Sequence, residues 1–312
     1  MKKGYIYVVL TAIIFSTLEI VLKLVAGVFN PIQLTFTRFF IGGLFLVPFT
    51  HKSLREKHIS VKNDLVYFAF LGFLGIVISM GLYQLAVQTT KASVVAVLFS
   101  CNPVFVTILA FFLTGEVINK NNILSLILEI IGTLIIINPL NTKLSVLGII
   151  LTITSTLTFA LYGVLGKRMC EKYGGVTVTC FGFIFGSLEM LVLIALSHNS
   201  FIANYFSLIG LPVFTNIPLF TGYSIKLLPI LLYIFIVNTG IGYACYFKAL
   251  EETSAQITSL VFFIKPILAP ILALILLHEI IPFNMLIGIL FILIGSLSSI
   301  LPELHAYLMA HI

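Results

Sequence analysis

Long apolar runs recur along the whole chain, and they restrict its fold more than any other feature. A helix that crosses the hydrocarbon core of a bilayer needs about 20 apolar residues. Ten stretches reach or approach this length: 4–26, 31–50, 65–88, 91–113, 121–138, 144–166, 176–197, 227–249, 255–276 and 282–304. The sequence therefore predicts an all-α integral membrane protein with ten transmembrane helices.

Composition excludes the soluble classes of protein. Hydrophobic residues make up 60% of the 312 residues and charged residues 9%, whereas soluble domains have roughly 45–50% and about 25%. A water-soluble enzyme or a nucleic-acid-binding domain could not bury so much apolar surface. The bilayer is thus one predicted partner, and nucleic acid is not.

The apolar stretch 201–220 does not fit an eleventh membrane span. It is interrupted by Asn204, Pro212, Asn216 and Pro218, and proline breaks the hydrogen bonding of a helix. We expect residues 198–226 to form a long external loop that lies partly on the membrane surface. Whether 201–220 re-enters the membrane is left open by the sequence.

Lysine and arginine are distributed unevenly between the two sides of the predicted membrane. With the N-terminus inside, eleven of them lie in cytoplasmic segments, and only Lys91, Lys143 and Lys226 lie in external ones. Cytoplasmic loops of membrane proteins carry such an excess. The bias predicts cytoplasmic N- and C-termini in a plasma-membrane protein, and it explains the net charge of +6 without nucleic acid.

The two halves of the chain resemble each other. Residues 83–137 align without a gap onto 246–300, at an offset of 163. The matched identities include Tyr83/Tyr246, Thr90/Thr253, Phe99/Phe262, Pro103/Pro266, Glu116/Glu279 and Gly132/Gly295, and at an offset of 144 Phe15/Phe159 and Lys23/Lys167. Such a match indicates duplication, with one five-helix repeat over 1–140 and another over 141–312. Because five is odd, the repeats would have opposite orientations, as in many secondary transporters.

Several of these motifs together resemble the EamA family of the drug/metabolite transporter superfamily. They are TFTRFF at 35–40, the segment from Tyr83 through Asn102-Pro103 to Gly115-Glu116, and its echo from Tyr246 to His278-Glu279. The resemblance covers nearly the whole chain. It implies a ten-helix carrier whose central cavity is lined by spans 1, 3, 4, 6, 8 and 9. The sequence departs from the family in having Gly182 where the second repeat would match Arg38, and in its long 198–226 loop.

Six acidic or basic side chains lie within the predicted spans with at least three span residues on either side, and a charge at the bilayer centre costs at least about 2.5–3.5 kcal/mol on insertion scales. They are Glu19, Lys23, Arg38, Glu129, Glu189 and Lys265. One interpretation is that these three acids and three bases only pair with one another to hold helices together. The other is that some of them bind substrate or protons.

Lys265 and Glu19 are the leading functional candidates. Lys265 lies in the middle of its span before Pro266, and its repeat mate Asn102 also precedes a proline. Glu19 is the only acid in a span expected to line the cavity, which makes it the candidate for proton coupling. It either pairs with Lys23 on its own helix, or Lys23 extends outward and Glu19 serves a deeper partner.

Aromatic and amide side chains complete the predicted substrate site, because rings with polar tips suit an amphiphilic organic substrate. These residues are Tyr83, Gln84, Phe99, Tyr162, Tyr243, Tyr246 and Phe262. Plain helix packing is the alternative for each. We expect Arg38 to be structural, Glu129 and Glu189 to have structural or lipid-edge roles, and Glu116 and Glu279 to shape the turns before spans 5 and 10.

The sequence predicts transport and not catalysis. All six histidines lie in loops or chain ends, so we expect no metal or cofactor, and the chain has no phosphate-binding GxxxxGK[ST] loop for an ATP-driven pump. We predict a secondary transporter that exports small organic metabolites such as amino acids or related carboxylates. The alternatives are a proton-coupled exporter of hydrophobic cations and a non-transporting membrane enzyme or scaffold. A monomer and a homodimer both remain open.

Overall fold

A computed structural model describes residues 2–57, 61–115, 118–138 and 145–309, which are largely helical. Eight helices are long and apolar enough to cross a membrane: α1 (Lys3–Leu24), α2 (Pro31–Arg55), α3 (Lys62–Thr89), α4 (Ala92–Thr114), α5 (Lys120–Ile137), α6 (Val146–Tyr173), α7 (Gly175–Leu196) and α8 (Ile225–Glu252). The chain is a multi-pass helical membrane protein.

Two more apolar helices follow. The first, α9, consists of Ala255–Ser259 and Val261–Leu277, and the second, α10, is Phe283–Met309. Their apolar parts with described side chains, Lys265–Leu277 and Phe283–Ser298, are shorter than those of the first eight helices. Glu116, Lys143 and the predicted repeat boundary at 140/141 lie outside the described residues.

Several helices are interrupted near the middle of the molecule. The helix α1 breaks at Thr17, and α4 breaks between Phe99 and Asn102. Pro103 is the second residue of the next helical segment of α4, where the missing N–H of proline costs no helical hydrogen bond. The helix α9 breaks at Leu260, five residues before Lys265.

Two π-helical stretches lie at related places in α3 and α8. They are Phe73–Met80 and Tyr233–Ile241, and each directly precedes an α-helical segment that carries predicted site tyrosines. In α8, Asn238 donates hydrogen bonds to Ile14 O at 3.2 Å and to Thr17 Oγ1 at 2.9 Å. Asn238 therefore braces the break in α1, two residues before Glu19. Wide π turns are rare and occur often at functional sites.

The helices α5 and α10 pack along each other through small residues. A Cβ atom added to Gly132 would lie 2.6 Å from Gly288 O, and one added to Gly295 would lie 3.0 Å from Ser125 O. Gly295 is the repeat mate of Gly132, and Gly288 is the repeat mate of Ser125. The same close approach is thus made twice. Small residues commonly allow such close contacts where membrane helices associate.

The segment between α7 and α8 contains one short α-helix, Ser200–Leu208, and a single 3-10 turn, Pro212–Phe214. Nine residues are too few to cross a bilayer. The rest of the segment folds back onto the start of α2, where Gln33 Nε2 donates to Leu219 O at 3.2 Å and to Thr221 O at 2.8 Å. The described structure therefore agrees with the prediction that 198–226 is a loop and not a span.

Candidate functional site

Lys265 and Glu19 form an ion pair inside the helix bundle. Lys265 Nζ contacts Glu19 Oε1, and the side chains are 1% and 0% exposed. The sequence left open whether Glu19 pairs with Lys23 or serves a deeper partner, and the structure supports the deeper partner. Within the membrane such a pair removes the cost of two isolated charges, although each ion still loses its hydration.

Lys23 has a different role, as a cap for the end of α3. Its Nζ donates to Val87 O at 2.8 Å and to Thr90 O at 2.7 Å. The last carbonyls of a helix lack partners within the helix, and a cation there also complements the helix dipole. Lys23 does not pair with Glu19 here, because these carbonyls hold its ammonium group. They lie at the end of α3 that the predicted topology places outside, so the outward extension of Lys23 stays a prediction.

Lys167, the repeat mate of Lys23, makes the corresponding contacts in the second half. Its Nζ donates to Leu250 O at 2.7 Å and to Thr253 O. Leu250 and Thr253 lie 163 residues after Val87 and Thr90. The two lysines thus cap α3 and α8 at matched positions.

Three aromatic rings surround the ammonium group of Lys265. Its Nζ lies 4.7 Å from the ring centroid of Phe99, 5.6 Å from that of Tyr83 and 5.7 Å from that of Phe262. A cation within about 6 Å of a ring centroid is attracted by the face of the ring. Phe99 and Phe262 are repeat mates, and their centroids are 5.6 Å apart. The two halves of the chain therefore meet at the site.

The space beside the pair is small in this conformation. Lys265, Tyr83, Phe99 and Tyr243 line a cavity of about 10 Å³, which is at the lower limit of what holds one water molecule. All four of these side chains are buried. An organic substrate would need the helices to move apart.

Arg38 reaches the same region from α2. Its side chain is fully buried, and its guanidinium carbon lies 4.5 Å from the Phe39 ring centroid. The charge of Arg38 is close enough to the carboxylate of Glu19 to interact with it. None of its three nitrogens has a hydrogen-bond partner in the described part of the chain. The structural role that the sequence predicts for Arg38 stays a prediction.

The depth of Arg38 follows from the close packing of α2. A Cβ atom added to Gly42 would lie 3.2 Å from Phe235 O on α8, and one added to Gly43 would lie 3.2 Å from Phe183 Cβ on α7. Adjacent glycines let α2 approach both helices. The Gly42-Gly43 pair one turn after an in-span arginine was the sequence signal for this placement.

The predicted tyrosines divide into two groups. The rings of Tyr83 and Tyr243 lie at the pair, and Tyr243 OH donates to Met80 Sδ at 2.7 Å. Tyr162 and Tyr246 pack further along α6 and α8 against Phe247, with centroid distances of 5.0 and 5.4 Å. Tyr162 and Tyr246 form an aromatic layer beside the site and do not line the cavity next to Lys265.

The predicted amide candidates are buried but do not contact Lys265. Asn102 Nδ2 donates to Thr156 O on α6 at 3.2 Å. Gln84 is fully buried, and neither of its amide atoms has a hydrogen-bond partner among the described residues. Both remain polar groups that a rearranged site could use.

The other in-span acids lie away from the pair. Glu129 is 1% exposed between α5 and α10, where it accepts hydrogen bonds from Ser125 and Ser296. It does not lie at a lipid edge, because α10 covers it. Glu189 on α7 is half-buried.

Glu279 caps a helix of the other half of the chain. Its Oε1 accepts from Ala92 N at 2.8 Å, and its Oε2 accepts from Ser93 N at 3.0 Å and from Ser93 Oγ at 2.5 Å. A carboxylate at a helix N-terminus satisfies free N–H groups and complements the helix dipole. Glu279 is expected to shape the turn before α10, and its carboxylate also connects that turn to the start of α4.

Comparison with known proteins agrees with this architecture. The chain matches the EamA-like transporter family twice, over residues 2–138 and 146–301. An uncharacterized transporter from Clostridium kluyveri is 39% identical over 306 residues, which cover 95% of this chain and 93% of that protein. Protein PecM from Dickeya dadantii is 25% identical over 224 residues, which cover 71% of this chain and 69% of PecM.

The fold is also similar to that of a protein whose sequence differs at most positions. One crystal structure of a protein that is 15% identical superposes with a TM-score of 0.68 over 96% of this chain and 97% of that one. With the two matches in sequence, one in each half, the predicted family is confirmed. The chain belongs to the EamA-like transporter family.

Proposed function

We propose that the protein is a secondary transporter of small organic metabolites that carry a carboxylate, such as amino acids. The observation that carries this proposal is Arg38, a fully buried guanidinium group without a hydrogen-bond partner in the described chain. Arginine presents a planar fork of donors that matches a carboxylate bidentately. A substrate carboxylate would supply the partner that Arg38 lacks.

The charges around the site support an anionic or zwitterionic substrate. Glu19 and Lys265 compensate each other, while Arg38 adds a second base to the same region. A buried charge without a partner is costly, so a negative group on the substrate is the natural complement. The aromatic rings of Phe99 and Phe262 would then contact an apolar part of the substrate.

The alternating-access mechanism that we propose uses ten spans in two inverted five-helix repeats, one over 1–140 and one over 141–312. Two observations support it. The capping contacts of Lys23 recur at Lys167, and the repeat mates Phe99 and Phe262 meet beside Lys265. A site at the interface of two inverted repeats can open to either side when one half rocks against the other.

We further propose that the carrier is an exporter in the plasma membrane, with both termini in the cytoplasm. The excess of lysine and arginine on one side of the predicted spans supports this orientation. In this arrangement, Glu19 would pair with Lys265 while the site is empty. When a substrate carboxylate enters, it would compete with Glu19 for the basic groups of the site. A proton-coupling role for Glu19 would follow if this exchange of partners releases or takes up a proton.

Substrate counterflow in proteoliposomes tests the class of function. Liposomes that contain the purified protein are preloaded in turn with amino acids, dicarboxylates, nucleosides or quaternary amines. Uptake of the corresponding tracer is then measured for each. We expect exchange of carboxylate-bearing compounds that empty liposomes do not show. No exchange of any compound would instead favour a membrane enzyme or scaffold.

One observation favours a second candidate, the export of hydrophobic cations. The cage formed by Tyr83, Phe99 and Phe262 already holds an ammonium group, that of Lys265. A substrate cation could occupy the same rings and use Glu19 as its counter-ion. Exchange of quaternary amines without exchange of carboxylates would establish this alternative and exclude the main proposal.

A further inference from the structure

A second acid is buried away from the central pair. Glu129 lies in the middle of α5, and its side chain is 1% exposed. Its Oε1 accepts hydrogen bonds from Ser125 Oγ at 2.9 Å and from Ser296 Oγ at 3.1 Å, while its Oε2 has no partner in the described chain. Unlike Glu19, Glu129 has no lysine or arginine within ion-pair distance among the described residues.

Glu129 lines a small pocket between α4, α5, α9 and α10. The pocket has a volume of about 20 Å³, and its walls include Thr107, Gln256 and Ser259. Gln256 Nε2 also lacks a hydrogen-bond partner in the described chain. Polar walls and this volume suit a single water molecule, which would be a proton carrier next to the free carboxyl oxygen.

A bare carboxylate is costly in this position, because no cation compensates its charge and the surroundings exclude bulk water. Binding of a proton removes the charge. The two serine hydroxyl groups already occupy Oε1, so Oε2 is the oxygen that is free to carry the proton. No other change to the pocket is needed.

The pocket is linked to the transport site through α9. Gln256 and Ser259 belong to the short first segment of α9, and Lys265 follows the break at Leu260. A movement of that segment relative to the rest of α9 would shift Gln256 and Ser259 away from or towards Glu129. The same movement would change the access of water to Glu129. A proton on Glu129 would thus be exchanged at a particular stage of the transport cycle.

We propose that Glu129 is a reversible proton-binding site that couples transport to a proton gradient. The inference rests on the proposed transport function, and it adds a coupling site separate from Glu19. Of the titratable side chains described on the helices packed against Glu129, Cys101 on α4 is the one that interacts with it. The thiol of Cys101 shares a hydrogen bond of 2.6 Å with Thr133 Oγ1.

The test uses proteoliposomes with a pH gradient of one unit and the membrane potential clamped at zero. Coupling to one proton then allows substrate accumulation of about tenfold. We expect Glu129→Gln to abolish this accumulation while counterflow at equal pH stays within about twofold of the wild type. The matched control is Glu189→Gln, which removes another in-span acid and should retain both activities.

Two results would overturn the proposal. One is undiminished accumulation by Glu129→Gln. The other is loss of both accumulation and counterflow in a variant that still elutes as a folded protein, since this would make Glu129 a structural residue. The conservative variant Glu129→Asp should keep accumulation with a shifted pH profile.

A spectroscopic measurement separates this inference from the proposed function. Infrared difference spectra of the purified protein across a pH titration should contain a protonated-carboxyl band that is missing in Glu129→Gln and present in Glu189→Gln. This measurement needs no substrate. If no substrate exchanges, the proposed function fails, but the band still decides whether Glu129 binds a proton. Its absence from the wild type would refute the site.

Discussion

Lys265 and Glu19 each depend on the other, because the cavity beside the pair has room for about one water molecule, which is too little to solvate a charge that has lost its partner. Removal of one member of a buried ion pair leaves an uncompensated charge, which costs about 3–5 kcal/mol. We therefore expect Lys265→Met to lower the thermal unfolding midpoint in detergent and to abolish transport.

The double variant Lys265→Met with Glu19→Gln provides the control for this prediction. It removes both charges, so the unfolding midpoint should recover towards that of the wild type, whereas transport should remain absent. Equal destabilisation in the single and double variants would mean that the pair does not form. Normal transport by Lys265→Met would mean that Lys265 contributes only to the packing of the helices.

The predictability of individual residues depended on where their partners come from. That Lys265 has a partner could be predicted, because a charged lysine in the middle of a span is costly when it is isolated. The capping role of Lys23 could not, because its acceptors are backbone carbonyls of α3 that no side-chain pattern reports. The depth of Arg38 was not predicted, because it is set by the packing of Gly42 and Gly43 against α7 and α8.

At the scale of the elements, the ends of α3 and α8 are held by equivalent lysines. Lys23→Met should free the carbonyls of Val87 and Thr90, and Lys167→Met should free those of Leu250 and Thr253. Each freed buried acceptor costs about 1–3 kcal/mol. We expect the two variants to lower the thermal midpoint by similar amounts.

Lys91→Met is the matched control for this pair, since Lys91 is an exposed lysine close to the end of α3. Its midpoint should stay near that of the wild type. A large effect of Lys23→Met together with none of Lys167→Met would show that the two caps are not equivalent, contrary to the matched hydrogen bonds.

The lengths of the apolar runs located the long helices well, but they did not locate the interruptions. A long apolar run predicts a span, because about 20 mostly apolar residues are needed to cross the hydrocarbon core. The π-helical stretches Phe73–Met80 and Tyr233–Ile241 contain no proline to announce them. They are stabilised by contacts between helices, as where Asn238 reaches the break in α1.

At the scale of the whole molecule, the proposed orientation has a direct test. In a background without native cysteines, Ser53 and Asn199 are each replaced by cysteine. Ser53 lies in the basic C-terminal end of α2, and Asn199 follows the end of α7. An impermeant thiol reagent applied to intact cells should label position 199 and not position 53. Labelling of 53 without 199 would reverse the orientation, and the predicted excess of cytoplasmic charge would be wrong.

The organisation into two repeats was accessible to sequence because duplication leaves identities at a constant offset. The way in which the halves pair was not. Nothing in the offset indicates that Phe99 contacts its own repeat mate Phe262, or that Glu279 of one half caps α4 of the other. Both contacts join residues far apart in the chain, and they depend on the packed fold.

In the proposed function, Arg38 receives the carboxylate of a transported substrate. Loss of one partner from a buried charged hydrogen bond costs about 2–5 kcal/mol, so Arg38→Gln should reduce the counterflow of a carboxylate substrate by more than about tenfold. Lys226→Gln, which removes an exposed lysine from the predicted external loop, should exchange normally. A counterflow rate of Arg38→Gln equal to that of the wild type, with the same carboxylate substrate, would contradict the account.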